Sequence, residues 1–220
     1  MPTSTVENYL KHIYLQQHHF HNDLMPTGRL AQVMNVTPGT ATSMVKTLAD
    51  AALIDYEPRC GVRLTEAGQK LALRVLRRHR LIELFLVKTL KFDWSQVHDE
   101  AEELEHVISN RMLERIDEHL GHPTKDPHGD PIPSAAGTVH AIERHSLSDC
   151  VIGQPMRVMR VMDQQPSFLR FVDSHGLNPG VGLIVHERDE AADSVTIESV
   201  DGEHITLGTA AADKILVEAV

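Results

Sequence analysis

Residues 27–48 read TGRLAQVMNVTPGTATSMVKTL and contain the start signals of two short helices. Thr27 can cap the first helix, and Thr37 followed by Pro38 has the form of a helix cap with proline at the first helical position. Apolar residues recur every three or four positions after each signal, as on the buried face of an amphipathic helix. Two such helices joined by about three residues predict a helix-turn-helix.

The second of these helices has an outer face of small polar side chains. Its predicted buried stripe is Ala41, Met44, Val45 and Leu48. The side chains left to project outward are Thr40, Thr42, Ser43, Lys46 and Thr47. Such groups can hydrogen-bond base edges or phosphates in a major groove, so we predict DNA contacts here, with Thr27 as a further candidate. The alternative is a plain solvent face, which usually carries more glutamate and lysine.

A hairpin is expected directly after the helix-turn-helix. Residues 53–56 and 62–64 have the composition of short strands, and the segment between them contains Pro58 and Gly61, which favour a turn. A hairpin at this place is a wing. Arg59 and Arg63 would lie on this wing, where they could contact the phosphate backbone. The alternative is that both are solvated surface arginines.

The remaining chain divides into a helical middle and a β-rich tail. A capping box at residues 4–7 predicts a first helix, and further helices are expected from residue 65, from residue 94 to 104 and onward, and around residues 112–120. Apolar residues on several faces of these helices indicate a dimer core. Apolar runs and alternations in the tail, between turns, predict a small all-β barrel. The runs are at residues 156–161, 181–185, 194–197 and 205–207.

Charge and hydropathy restrict the possible partners. The net charge is −10, but residues 1–72 contain six of the 21 Lys/Arg and six of the 31 Asp/Glu, so the excess of acid lies beyond residue 72. A neutral N-terminal module can still bind phosphates locally.

No apolar run approaches the roughly 20 residues that cross a bilayer, and the N-terminus does not resemble a signal peptide, so we expect a cytoplasmic protein without a membrane partner. Cys60 and Cys150 are expected to be ordinary thiols.

The strongest concentration of possible metal ligands is at residues 98–106, which read HDEAEELEH. On one helix, His98, Glu102, Glu105 and His106 would fall within an arc of about 100°. Carboxylates three and four residues apart repel one another, and a divalent cation removes that repulsion. His79 and Glu83 form another pair at helical spacing. Carboxylates and imidazoles without cysteine suit Mn(II), Fe(II) or Zn(II), whereas any single one of these residues is more simply a surface charge.

These motifs resemble the diphtheria toxin repressor and manganese transport regulator family. The resemblance is carried by residues 79–83, 97–101 and 105–106 and by the loop at 126–133, DPHGDPIP, and it covers essentially the whole chain. It implies an ancillary metal site at His79, Glu83 and His98 and a primary site at Glu102, Glu105 and His106. It also implies DNA contacts by Thr37, Gly39 and Ser43.

Several positions depart from the family pattern. Glu102 stands where iron-responsive members have cysteine, and a carboxylate there shifts the preference toward Mn(II), with Fe(II) possible. Asn8 stands where relatives use methionine or aspartate, and its amide oxygen can still ligate either ion. Lys11 replaces a glutamate ligand of manganese-responsive members, which argues against their paired-metal site. In iron-type members the tail also supplies ligands, and Asp163 or Gln164 lies in the corresponding region.

The predicted architecture is mainly α with α+β parts. It comprises a winged helix-turn-helix domain at 1–72, a helical metal-binding and dimerisation domain at 73–138, a linker at 139–149 and an SH3-like (FeoA-like) β-barrel domain at 150–220. The predicted function is a metal-dependent repressor that binds double-stranded palindromic operators as a homodimer, with neither enzymatic activity nor a small organic substrate. Two alternatives are a winged-helix regulator of a small organic ligand and a carboxylate-bridged metalloenzyme, because Glu103 and His106 have the spacing of di-iron ligands.

Overall fold

The structure is a computed structural model that describes residues 3–20, 24–139, 145–200 and 202–220, with the side chains of residues 19 and 20 left aside. The chain forms two compact units. The first contains Met1–His79, Glu105–Ile108 and Pro133–Val139, and the second contains Arg80–Leu104, Ser109–Ile132 and His140–Val220. Among the described residues, no helix is both long enough and apolar enough to span a bilayer.

The first unit is built from helices around one apolar core. Its elements are α1 (Ser4–Phe20), α2 (Thr27–Val33), α3 (Pro38–Asp50), β1 (Ile54–Glu57), β2 (Gly61–Leu64) and the first part of α4 (Glu66–Lys88). Its completely or almost completely buried core side chains include Leu10, Ile13, Leu30, Val45, Leu48 and Val62. Because α1 supplies Leu10 and Ile13, the position of this helix is tied to the packing of α2 and α3.

The helix-turn-helix forms as the sequence predicts, with one difference at its start. Thr37 caps α3 by accepting a hydrogen bond from the backbone N–H of Thr40, and Pro38 is the first helical residue. The prediction that Thr27 caps α2 is wrong: Thr27 is the first residue of α2, and the cap position is held by Pro26, which has no side-chain oxygen to accept a bond.

The wing is an antiparallel pair in which Ile54 lies opposite Leu64 and Glu57 lies opposite Gly61. The segment before α2 pairs with β2 of the wing, because the backbone of Met25 exchanges two hydrogen bonds with that of Val62. These bonds attach the wing to the segment that leads into α2.

The second unit joins helices to a six-stranded antiparallel sheet. It contains the rest of α4, α5 (Val97–Leu104), α6 (Asn110–His119), α7 (Pro166–Ser174) and α8 (Thr209–Ala212). The strands are β3 (His145–Ser146), β4 (Pro155–Val161), β5 (Gly182–Asp189), β6 (Ser194–Ser199), β7 (His204–Gly208) and β8 (Ile215–Ala219), in the order β3-β8-β4-β5-β6-β7. Alternate residues such as Val158, Val185 and Ile197 are buried under this sheet.

Two sequence predictions for this region need correction. The tail is not all-β, because α7 begins with Pro166 at its first position and buries Leu169 and Val172 in the barrel core. The helix expected to continue past residue 104 ends at Leu104, so Glu105 and His106 lie in a turn. Ser109 caps the next helix only a few residues later, and this leaves no room for a longer α5.

The loop at residues 126–130 packs directly on β4. The backbone N–H of Val161 donates to the carbonyl of His128, and a Cβ on Gly129 would be far inside van der Waals contact with the carbonyl of Met159. Gly129 also has φ +86°, a conformation that favours glycine. The second unit therefore includes this loop and the barrel together. The predicted domain boundaries remain predictions, and the predicted linker includes residues 140–144, which lie outside the described residues.

Candidate metal centre

Five polar side chains are linked by contacts inside the first unit, and together with Asn8, which lies between two of them on α1, we call them the α1 cluster. Its members are Glu7, Asn8 and Lys11 on α1, His79 on α4, and Glu105 and His106 in the turn after α5. Glu105 is at the centre. It is completely buried, and its two carboxylate oxygens lie 2.6 Å from Lys11 Nζ and 2.6 Å from His79 Nδ1.

His106 is held by a second acid of the cluster. Its Nδ1 lies 2.7 Å from Glu7 Oε2, and Arg78 lies 3.6 Å from the other oxygen of Glu7. This arrangement fixes the ring and directs Nε2 to a point 3.3 Å from Glu105 Oε1. A histidine bound to a carboxylate through one nitrogen is the usual arrangement when the other nitrogen ligates a metal.

Two atoms of the α1 cluster are buried without a hydrogen bond. These are Asn8 Oδ1 and His106 Nε2, neither of which has a hydrogen-bond partner in the part of the chain that the structure describes. Buried polar atoms are almost always satisfied, and each exception costs about 1–3 kcal/mol. An amide oxygen, a carboxylate and an imidazole nitrogen form a donor set that suits a borderline or hard divalent cation. The residues present therefore fit such an ion.

A second group of possible ligands lies inside the second unit, and we call it the Glu83 cluster. It consists of Glu83 on α4 with Asp126 and His128 of the loop, and ligand atoms of these three buried side chains lie within 4.8 Å of one another. His128 Nδ1 is 3.9 Å from a carboxylate oxygen of each partner. His128 Nε2 faces the carbonyl of Trp94 at 3.0 Å, so the opposite nitrogen is directed at the two acids.

The Glu83 cluster concentrates negative charge in a buried place. Burial raises the pKa of Asp126 well above its usual value, the charges of Asp130 and Glu83 raise it further, and Arg80 only partly opposes this. Asp126 Oδ2 and His128 Nδ1 are buried without a hydrogen-bond partner among the described residues. A divalent cation would satisfy both atoms and remove the repulsion between the carboxylates.

Three further predicted ligands lie in the same unit, and only His98 contacts this group directly. His98 is about half exposed, and its Nδ1 is 3.4 Å from Glu83 Oε1. Gln164 donates to Asp130 at 2.7 Å. Partial burial by itself raises the pKa of Asp163, but bonds from Lys214 at 2.8 Å and from the backbone of Gln165 outweigh it and lower the pKa.

An open cleft of about 440 Å³ reaches the Glu83 cluster from solvent. Its lining includes Trp94, His98, His128 and Gln164. His128 of the Glu83 cluster and the exposed His98 therefore both line this cleft.

The sequence predictions and the structure overlap unevenly. Glu105 and His106 are brought together in the first unit, and Glu83 and His98 meet in the second. Asn8 lies on α1, the helix that carries their partners Glu7 and Lys11. Glu102 lies half-buried on α5, in the second unit, while His79 contacts Glu105 through Nδ1. Sequence reasoning did not select Asp126 and His128, although the segment DPHGD, with two acids and a histidine between turn residues, was an available signal.

The outer face of α3 is polar and mostly exposed, but Thr42, which was predicted to project outward, is half-buried. Thr40, Ser43, Lys46 and Thr47 are exposed, and Gly39 is exposed near the N-terminus. The half-buried Thr42 and the exposed Thr47 donate their hydroxyl protons to the carbonyls of Pro38 and Ser43. Their oxygens remain acceptors.

The two wing arginines differ. Arg59 is exposed at the tip of the turn, whereas Arg63 is paired with Glu57 at 2.9 Å and with Asp55 at 3.6 Å. Arg63 is therefore partly neutralised before any phosphate approaches.

Comparison with known proteins assigns all three parts of the chain. Residues 1–62 match the model for the N-terminal DNA-binding domain of iron-dependent repressors, residues 65–134 match the metal-binding and dimerisation domain of the same family, and residues 145–219 match the FeoA domain. The chain belongs to the iron-dependent repressor family. The resemblance stated from the sequence is thereby confirmed, together with the predicted winged helix-turn-helix, helical middle and SH3-like C-terminal domain.

Individual relatives and solved structures resemble this chain over half or more of its length. An uncharacterized HTH-type transcriptional regulator of Methanocaldococcus jannaschii is 37% identical over 52% of this chain and 90% of its own length. The diphtheria toxin repressor of Corynebacterium efficiens is 29% identical over 90% of this chain and 96% of its own length. A solved manganese-dependent transcriptional repressor in complex with manganese has a TM-score of 0.90 at 39% identity, covering 98% of this chain and all of that one. Like its family, this chain is a metal-dependent transcriptional repressor.

Proposed function

We propose that this repressor is activated by Mn(II), with Fe(II) as the alternative ion, and binds palindromic operator DNA as a homodimer. One observation carries the proposal: His106 Nε2 lies 3.3 Å from the completely buried Glu105 and is itself buried without a hydrogen bond among the described residues. Asn8 Oδ1 is also buried without one, on the helix that supplies Glu7 and Lys11 to the same cluster. The three side chains come from two separate parts of the sequence, so an ion that bound them would join α1 to the turn after α5.

We assign the ligands to two sites. Asn8, Glu105 and His106 would hold the first ion. Glu83, His98, Asp126 and His128 would hold a second ion. Gln164 is a further candidate for the second site because it already binds Asp130. Asp163 would have to give up its bond to Lys214 to take part.

The donor chemistry favours Mn(II). Both proposed sites offer oxygen and imidazole nitrogen and no thiolate, a combination that suits Mn(II) and also accepts Fe(II). Glu102, which stands where iron-responsive members of the family have cysteine, is a further hard carboxylate among the predicted ligands. The manganese-dependent repressor structure supports this choice, whereas the iron-dependent repressor of Mycobacterium tuberculosis, 34% identical over 59% of this chain, keeps Fe(II) as the alternative.

An ion at the first site would act on DNA binding through α1. Tyr9, Leu10 and Ile13 of this helix are buried in the same core as Val45 and Leu48 of α3. When α1 is held in place, α3 is held with it, because the two helices share this core. The ion favours the DNA-binding arrangement only as far as it binds that arrangement more tightly than the others.

The DNA-binding surface would combine α3 with the wing. Thr37, Thr40, Thr42, Ser43, Lys46 and Thr47 surround the exposed face of α3, with Gly39 at its start and Thr27 on α2. Arg59 would contact phosphate, and Arg63 would do so less effectively because Glu57 already binds it. A twofold dimer would present two such helices to a palindrome. A repressor of this kind acts in the cytoplasm and needs no catalytic step and no organic substrate.

The decisive experiment compares Glu105→Gln with Glu103→Gln. Glu103 is exposed on α5, so its substitution makes the same chemical change two residues away without touching the α1 cluster. A duplex is first selected from a random library with the wild-type protein and Mn(II). Binding is then measured by fluorescence anisotropy with Mn(II) and with a chelator.

We expect tight binding only with Mn(II) for the wild type and for Glu103→Gln. Glu105→Gln should weaken Mn(II)-dependent DNA binding at least about tenfold, because even the loss of a residue that only hydrogen-bonds a metal ligand lowers metal affinity or activity 10- to 100-fold. Equal binding in Mn(II) and in chelator would refute the proposal and would favour a regulator that responds to another effector.

A further inference from the structure

Three side chains with metal-binding atoms meet on the outer face of the C-terminal sheet, remote in sequence from both helical clusters. They are His186 on β5, Glu198 on β6 and His204 on β7, and we call them the sheet triad. One ligand atom from each lies within 4.8 Å of the others. None of them was selected as a ligand from the sequence, because they lie on three different strands.

The register of the sheet brings these residues together. Glu198 lies directly opposite His204 in the β6–β7 pair, and side chains of directly opposed residues are neighbours on one face. The adjacent positions Ile197 and Val185 are buried on the other face, so the triad faces solvent.

A β-bulge supplies the third member. The register of β5 against β6 shifts between Val185, which pairs with Ile197, and Glu187, which pairs with Thr196. His186 is the extra residue at this shift. A bulge changes the direction of a side chain, and bulges are common beside functional sites for that reason. Here His186 Nε2 is hydrogen-bonded to Glu198 Oε2.

The two histidine rings lie close together across the carboxylate. Their centroids are 4.9 Å apart and the planes are inclined by 53°. Two imidazolium rings at this distance would repel each other, whereas two neutral rings can each direct a lone pair at one cation. A plain surface ion pair needs only one histidine and contributes little to stability, so it does not account for the second ring.

We propose that the sheet triad is a binding site for a borderline divalent transition metal such as Zn(II). Two imidazoles and one carboxylate are a frequent three-residue zinc ligand set that leaves a fourth position to water. Imidazole-rich sites also accept Ni(II) and Cu(II), and they are less suited to Mg(II) or Ca(II), which take oxygen ligands. His186 and Glu198 are 44% and 34% exposed, so an ion reaches them directly from solvent and the side chains can rotate to close on it.

The test measures how many Zn(II) ions the full chain binds. Equilibrium dialysis against Zn(II) is performed on the wild type, on the double variant His186→Gln/His204→Gln and on His145→Gln. His145 is an exposed histidine on β3 and therefore provides a matched control. Co(II) provides a spectroscopic probe, because its visible absorption changes when imidazole and carboxylate bind in a four-coordinate site.

We expect the double variant to bind one Zn(II) fewer per chain and to lose one component of the Co(II) spectrum, with His145→Gln unchanged. Glu198→Gln should lower the affinity for this same Zn(II) ion at least about tenfold. Thermal unfolding of each variant is measured as a control that the sheet is still folded. Unchanged Zn(II) stoichiometry and affinity in the double variant would overturn the proposal, as would an equal loss in His145→Gln.

This result is independent of the proposed activation by Mn(II). The double variant should keep Mn(II)-dependent DNA binding, since it leaves both helical clusters intact. Loss of the Zn(II) equivalent with DNA binding retained supports the sheet triad, whereas failure of Mn(II) to activate the wild type would refute only the proposed function.

Discussion

Lys11 places an ammonium group beside the central carboxylate of the α1 cluster. Lys11 Nζ and Glu105 Oε1 are 2.6 Å apart, and the two side chains are 2% and 0% exposed. Such a pair is costly to break by removing one partner, because the remaining charge stays buried. Lys11 therefore already supplies positive charge at the place where we propose that a divalent cation binds, and the two cations must compete for Glu105.

The first prediction concerns this competition. Lys11→Met should lower the stability of metal-stripped protein by about 3 kcal/mol, because Glu105 loses a buried partner. The same variant should bind Mn(II) more tightly than the wild type, because no ammonium group competes. Urea unfolding and Mn(II) titration measure the two effects, with the exposed Lys70→Met as control. Unchanged or weaker Mn(II) binding would contradict the prediction.

Asp126 provides a second prediction, which depends on pH. Its raised pKa means that the folded protein favours the protonated carboxyl. The associated stability is full below the unfolded pKa of about 3.9 and is lost as the pH rises through the folded pKa. Asp126→Asn should therefore stabilise metal-stripped protein at neutral pH, on the order of 1–3 kcal/mol, with little effect in acid.

The same substitution should reduce the stabilisation that Mn(II) gives, because one proposed ligand is neutral. Thermal unfolding at acidic and neutral pH, with and without Mn(II), measures both effects. Asp99→Asn, on the exposed side of α5, is the control. A loss of stability at neutral pH in metal-stripped Asp126→Asn would show that the charge of Asp126 is compensated within the protein.

At the scale of elements, the loop at 126–130 depends on a glycine that contacts β4. Gly129→Ala should cost about 1–3 kcal/mol for the clash with the Met159 carbonyl, in addition to about 1–2 kcal/mol for the positive φ. Gly137→Ala provides a matched control, because Gly137 has φ +77° and no atom near a new Cβ. Denaturant unfolding should show a clearly larger loss for Gly129→Ala. Equal losses would mean that the loop moves away from β4 at little cost.

Local sequence signals predicted some elements well and others poorly. The Thr37 cap and Pro38 define the start of α3 from neighbouring residues alone, so this helix was predictable. The end of α5 was not, since residues 98–106 have no breaker and the chain leaves the helix where Glu105 is bound by Lys11 and His79. The helix α7 carried a readable signal, Pro166 followed by an apolar stripe, which the strand-rich surroundings obscured.

At the scale of the whole molecule, exposed apolar side chains are candidates for the interface of the proposed dimer. Among the described residues, the large exposed hydrophobics within the range of the dimerisation-domain match are Leu90, Phe92, Leu104, Val107 and Met112. Met112 is 50% exposed on α6. A buried charge without a partner strongly disfavours an interface.

We therefore expect Met112→Glu to shift the protein toward the monomer and to weaken operator binding, since each half of a palindrome then binds independently. Light scattering with size-exclusion chromatography measures the mass. Val200→Glu is the control, because Val200 is 75% exposed but lies in the C-terminal sheet region. A dimer of unchanged stability in Met112→Glu would place the interface elsewhere.

The amino-acid sequence determined the helix-turn-helix, the wing, the β-rich tail and the chemical type of the ligands, because caps, turns and apolar periodicity act over a few residues. The tertiary structure decided which candidate ligands meet. His106 contacts Glu7 from 99 positions away in the sequence, Asp126 and His128 face Glu83 from a loop, and the sheet triad depends on strand register and one bulge. Such meetings are set by the packing of distant elements, which no local pattern encodes.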